Sequence, residues 1–171
     1  MTESWLISLN SGADDEQLAK QLTACCSSPR WVEQIVRQRP YADTDALLAA
    51  SDVAVAALDQ AELADALAGH SRIGERPAGA DGEWSRQEQS GVAAAAAAVL
   101  EKIATANAEY ERRFGQVYLV CATGKSADEL LAICRSRLAN DPVAEERVVR
   151  AELAKITRIR LGKLLNSYDA P

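Results

Sequence analysis

QVYLVC, residues Gln116 to Cys121, is the only β-like run in the chain. One short strand cannot make a sheet, because its unpaired edges need neighbouring strands. The run therefore reads as a buried extended connection or the start of a helix, and the fold around it reads as all-α. On its N-terminal side, Gly115 ends what reads as the longest helical run, opened by Ser85 and continuing to about Arg113. Ser85-Arg86-Gln87-Glu88 fits a capping box, and Ala93 to Ala98 offers a smooth surface for close helix packing. On its C-terminal side, Ser126 and Glu129 repeat the capping pattern and open a helix to about Ala139. Asp141-Pro142 then starts the last helix, which carries Val148, Leu153, Ile156, Ile159 and Leu164 and frays near Asn166.

Further out, residues 1–13 read as an irregular lead-in. Asp14 or Asp15 can cap a helix to about Ala24. Pro29 starts another, with Trp31, Val32, Ile35 and Val36 on its apolar face and Pro40 at its end. Asp43 or Thr44 can cap a third, containing Leu47, Leu48, Val53, Val55 and Leu58. Asp59 can cap a fourth, Gln60 to Ala68, closed by Gly69. Residues 69–84, GHSRIGERPAGADGEW, break the helical pattern with four glycines and a proline. A loop of this length inside a compact domain is uncommon and often functional. The expected architecture is one helical bundle of about seven or more helices over residues 1–171, with this Gly-rich loop ordered between its fourth and fifth helices.

Composition agrees. The 171 residues suffice for one core, with 48% hydrophobic, 26% charged and only 5% aromatic residues. Lys and Arg number 19 against 25 Asp and Glu, a net charge of −6, which disfavours a nucleic-acid binder. Cys25, Cys26, Cys121 and Cys134 form no CxxC pair, and a lone histidine is too few for a His-rich metal site. No stretch of about 18 apolar residues predicts a membrane span. No signal peptide is read at the start, nor a peroxisomal address in Asp169-Ala170-Pro171, so a cytoplasmic location with reduced thiols is expected.

Four features carry candidate chemistry. His70 is the only side chain whose ordinary pKa lies near neutrality, and it opens the Gly-rich loop. Its position fits a catalytic residue or a satisfied structural histidine. Glu88 fits a reciprocal helix cap. It also fits an anion-binding helix start shared with Ser85 and Gln89. Gly124-Lys125-Ser126 resembles the end of a phosphate-binding loop, but Leu119 stands where that motif requires glycine, so it reads as a helix start. Arg158 and Arg160 could lie on a solvated face or aim inward to hold a carboxylate.

Several segments together resemble one family, the 2-oxo-4-hydroxy-4-carboxy-5-ureidoimidazoline (OHCU) decarboxylases. GHSRIG resembles its GHP-(R/D)-(I/L)-(A/G) segment, and SRQEQSGV its S-x-x-E-Q-x-G helix start. RRFGQVYLVCATGKSADELL, KITRIRLGKLL and SPRWVEQIVRQRPYAD are similar to further segments of the same family, in the same order. The resemblance spans about Leu9 to Leu165. It implies that His70 and Glu88 are catalytic and that Ser71, Ser85, Gln89 and Arg160 contact substrate. Ser71 stands where the family commonly has proline, which would fix φ and remove a backbone donor. The implied reaction is loss of carbon dioxide to give (S)-allantoin in urate breakdown. The ring's own C=N bond accepts the electrons, so neither a metal nor an organic cofactor is expected. The implied partners are the small-molecule substrate and a second copy of the chain, with no nucleic acid and no membrane. A noncatalytic helical interaction module is the competing class.

Overall fold

The structure is a computed structural model and describes residues 3–12, 14–75, 82–93 and 95–167. Ten helices form among these residues. They are α1 (Glu3–Ser11), α2 (Asp15–Cys25), α3 (Pro29–Arg37), α4 (Thr44–Ala56), α5 (Gln60–Ala68), α6 (Gly82–Glu88), α7 (Ser90–Ala93), α8 (Ala97–Phe114), α9 (Ala127–Arg137) and α10 (Pro142–Ser167). The all-α expectation holds. The chain divides into two compact units, one of Met1–Gly69 with Ala154–Pro171 and one of His70–Leu153. No described helix is long and apolar enough to cross a membrane.

In the first unit, local caps set the helix starts. Asp14 accepts from the Gln17 amide, Ser28 from Trp31, Asp43 from Ala46, and Asp59 forms a full capping box with Glu62. The sequence places α1 in an irregular lead-in; the structure makes it a helix. The reason is packing, because Trp5, Leu6 and Leu9 fall on one helical face and are buried. Trp5 and Trp31 anchor this core, and their indole N–H groups donate to Gln21 and Ser51 at 2.9 and 3.2 Å. A buried tryptophan removes about 150–250 Å² from water, roughly 4–6 kcal/mol at about 25 cal/mol per Å². Gly69 closes α5 with φ of −79°, so its glycine is required by space instead: a Cβ there would lie 2.4 Å from the Ser27 hydroxyl.

The structure also separates the two terminal arginines. Arg158 makes a bidentate pair with Asp52, with side chains 45% and 39% exposed. This is the solvated face, and the Asp52 carboxylate holds the Arg158 guanidinium above its ordinary pKa. Arg160 is 2% exposed and donates to the Ala24 carbonyl at 3.2 Å.

In the second unit α8 packs on α9 around Ile103, Ala106, Tyr110, Tyr118, Leu130 and Cys134. Gln116–Cys121 is a non-helical connection whose residues from Tyr118 onward are buried. Buried backbone groups need partners, and here side chains supply them. Arg137 donates to the Leu119 carbonyl at 2.6 Å, and the Cys121 amide donates to Glu152 at 2.7 Å. Arg137 is itself paired in the interior with Glu145, which is 1% exposed and also accepts from the Tyr110 hydroxyl and from Asn140. Burial works against the Arg137 charge, yet the Glu145 hydrogen bond and the neighbouring Tyr110 hold its pKa above the ordinary value.

The single long run expected from Ser85 to Arg113 is corrected to three helices, α6, α7 and α8. Alanine's helix preference is a few tenths of a kcal/mol per residue and yields to tertiary contacts. The contact here is Gly91, where a Cβ would meet the Lys125 carbonyl oxygen at 2.2 Å. This close approach seats α7 against the Lys125 backbone, and Ala96 is extended immediately before α8 begins.

Candidate functional site

The candidate site is built where the loop after α5 meets α6 to α8 within the second unit. Arg72-Ile73-Gly74-Glu75 is a tight turn, with the Glu75 amide donating to the Arg72 carbonyl at 3.2 Å. Gly74 occupies its third position with φ of +89°, the left-handed conformation that a type II turn requires. The first part of the expected loop is therefore ordered. Gly82 to Trp84 belong to α6 instead of the loop. Residues 76–81, the middle of that loop, lie outside the described residues.

Four contacts hold the turn. Ile73 inserts into the core of the unit. The Gln89 side chain accepts from the Gly74 amide at 3.0 Å and makes a long 3.5 Å donation to the Arg72 carbonyl. Asn107 on α8 donates to the Ile73 carbonyl at 2.9 Å. One turn further along α8, Glu111 receives the Arg72 guanidinium at 2.5 and 3.1 Å. The Arg72 hydrogen bond holds the Glu111 carboxyl below its ordinary value and raises the Arg72 pKa in return.

His70 and Ser71 are half-buried at the start of this segment. His70 is two residues from Arg72, so their Cα atoms lie within about 7 Å. Glu88 and Gln89 are half-buried at the end of α6. The Gln89 clamp thus brings the start of the turn to the end of α6, next to Glu88. A cleft of about 610 Å³ opens beside it, lined by Gly74, Glu75, Arg86, Gln89, Val92, Ala93 and Leu100. Gln89 is the predicted site residue on its wall. Ser85 is 4% exposed inside α6, and Arg160 belongs to the first unit.

One expectation is corrected. Ser85 does not cap a helix, and Glu88 is not at a helix start; α6 begins at Gly82 and Glu88 is its last residue. The C-terminal end of a helix carries partial negative charge, so the anion-binding argument does not apply at Glu88. Lys125-Ser126, by contrast, is the helix start expected, with a full Ser126–Glu129 capping box.

Asn107 and Glu111 went unnoticed in the sequence. Asn107 is 5% exposed, and its Oδ1 has no partner among the described residues. Such a group costs about 1–3 kcal/mol. The available signal was its register: it follows Ile103 by four residues and precedes Tyr110 by three, a polar residue on the buried stripe of α8.

Fold and site define an all-α protein with a largely apolar cleft beside a clamped turn that follows His70. A solved OHCU decarboxylase, crystallised in the presence of (S)-allantoin, superposes with a TM-score of 0.74 at 26% identity, covering 90% of this chain and 99% of that one. A solved (S)-allantoin synthase shares the fold with a TM-score of 0.68 at 17% identity, over 92% of this chain and 53% of that one. The OHCU decarboxylase family model matches residues 11–162, and the chain belongs to this family. It is 26% identical over 83% of its length to the uric acid degradation bifunctional protein TTL of Arabidopsis thaliana. It is 30% identical over 46% of its length to a 2-oxo-4-hydroxy-4-carboxy-5-ureidoimidazoline decarboxylase of Amia calva. The matched regions cover 45% of each of these two relatives.

Proposed function

We propose that this protein is a decarboxylase of 2-oxo-4-hydroxy-4-carboxy-5-ureidoimidazoline, working as one domain over 1–171 and needing no cofactor. The observation that carries the reading is the superposition on 99% of a solved OHCU decarboxylase. In the proposed reaction the bond from the ring carbon to its carboxylate breaks and carbon dioxide leaves. The electron pair flows into the adjacent C=N bond, whose nitrogen takes a proton from solvent. The ring hydroxyl then loses its proton to become a carbonyl, and the neighbouring carbon gains one on a single face, giving (S)-allantoin. His70 is assigned both proton transfers, and Glu88 is assigned to orient substrate and imidazole. Gln89 on the cleft wall, with Ser71 and Ser85, is assigned to polar contacts with the substrate. The part given to Arg160 rests on the KITRIRLGKLL segment alone. A cytoplasmic homodimer completes the proposal, read by solution mass.

The test generates the unstable substrate with urate oxidase and a hydroxyisourate hydrolase, then adds this protein. Accelerated formation of (S)-allantoin, detected by circular dichroism, is expected. General acid–base catalysis contributes about 100- to 10,000-fold, so His70→Ala is expected to lose on that order while retaining its helical spectrum. Formation no faster than spontaneous decay would refute the enzyme and favour the interaction module. Near-normal turnover by His70→Ala would refute the assignment of the histidine.

A further inference from the structure

We propose that Asn107 and Glu111, one turn apart on α8, are positioning residues for His70: with Gln89 they fix the turn that begins two residues after it. Three consecutive residues are gripped from α8 and from the residue that follows α6. Glu111 binds the Arg72 guanidinium through two nitrogens, Asn107 binds the Ile73 carbonyl, and Gln89 binds the Gly74 amide. His70 lies two residues before this grip, which fixes the backbone on its C-terminal side. Ile73 alone would anchor the turn to the core through apolar contact, which resists removal but permits sliding and rotation. The directional bonds remove that freedom.

Asn107 shows what the arrangement favours. Its Nδ2 serves the turn while its Oδ1 stays buried without a partner among the described residues. An apolar side chain would suit the Ile103–Tyr110 stripe better. A polar group kept against the demands of packing is expected where geometry matters more than stability.

The inference uses the decarboxylase reading for its kinetic arm only. His70 is the only histidine of the chain, so its ring C–H signals in a proton–carbon NMR spectrum need no assignment. Asn107→Leu removes the donor while keeping the same branching at Cγ, and Glu111→Gln removes the charge at a partly exposed site that leaves the core intact. In each, the His70 signals are expected to shift and broaden, with kcat falling about 10- to 100-fold, as for small misplacements of a reacting group, and KM staying within about threefold. The charge-swapped pair Arg72→Glu/Glu111→Arg is expected to recover much of the Glu111→Gln loss. If Asn107→Leu fails to fold, Glu111→Gln and its rescue decide. Unmoved His70 signals in the folded variants overturn the proposal whatever the activity. Moved signals with undiminished kcat in an active background overturn it as well. If the wild-type protein has no decarboxylase activity, that reading fails by itself, and the NMR arm still decides whether α8 positions the histidine.

Discussion

Replacing Gly91 by alanine adds one methyl group and places it 2.2 Å from the Lys125 carbonyl oxygen and 3.1 Å from its carbon. Both obstacles are backbone, so no side chain can swing away. Ordinary contact begins near 3.4 Å, so α7 and the Ala122–Lys125 turn must part by about 1.2 Å. That turn is braced by its own hydrogen bond, Lys125 amide to Ala122 carbonyl at 3.0 Å, and by Lys125 Nζ on the Cys121 carbonyl at 2.7 Å. Overpacking of this kind costs about 1–3 kcal/mol, and a rigid obstacle points to the upper end. For a chain of this size about 3 kcal/mol lowers Tm by roughly 6–12 °C. The control is the same substitution at Gly162, inside α10, where a Cβ meets nothing within 4 Å. There the helix gains roughly 0.5–1 kcal/mol, and Tm rises by about 1–4 °C. Melting followed by far-ultraviolet circular dichroism reads both. A Gly91→Ala protein melting within about 1 °C of wild type, or below Gly162→Ala by no more than that, would refute the steric argument.

Glu145→Ala leaves the Arg137 charge buried and unpaired, so urea unfolding is expected to show a loss of about 3–5 kcal/mol, whereas an Arg137→Met/Glu145→Leu double variant recovers most of it; a loss near zero in the single variant contradicts the buried pair. The lowered pKa of Glu111 means that its pair with Arg72 stabilises fully above the ordinary value of 4.5 and is lost as pH falls through the lower folded value. The stability gap between wild type and Glu111→Gln should therefore be complete above pH 4.5 and close only as pH falls below that value; a gap that closes already at neutral pH excludes the pair as its source. Burial pushes the Cys26 and Cys134 thiols up to about 11. At about pH 8 only about one in a thousand is a thiolate. Iodoacetamide is expected to leave both unmodified in the native protein and to label them in denaturant, as mass spectrometry would show. Rapid native labelling of either would contradict their burial.

Sequence alone determined what is settled within a few residues. Pro29, Asp43, Asp59, Ser126 with Glu129, and Asp141-Pro142 each start a helix where expected, because the signal that opens a helix lies within two or three positions of the amides left free there. The absence of any partner for QVYLVC decided against a sheet, and the segments around His70 and Glu88 pointed to their family. Tertiary structure decided the rest. It made a helix of residues 3–11, because Trp5 and Leu9 are buried. It divided the expected Ser85–Arg113 run into three helices, and Gly91 in the short middle one meets Lys125, a contact between residues far apart in the chain. It moved Glu88 from a helix start to a helix end and separated the exposed Arg158 from the buried Arg160. It also brought Asn107 and Glu111 onto a turn more than thirty residues away. Local capping is short-ranged and leaves its mark in neighbouring letters. The bonds that hold the turn after His70 join segments that only the folded chain brings together.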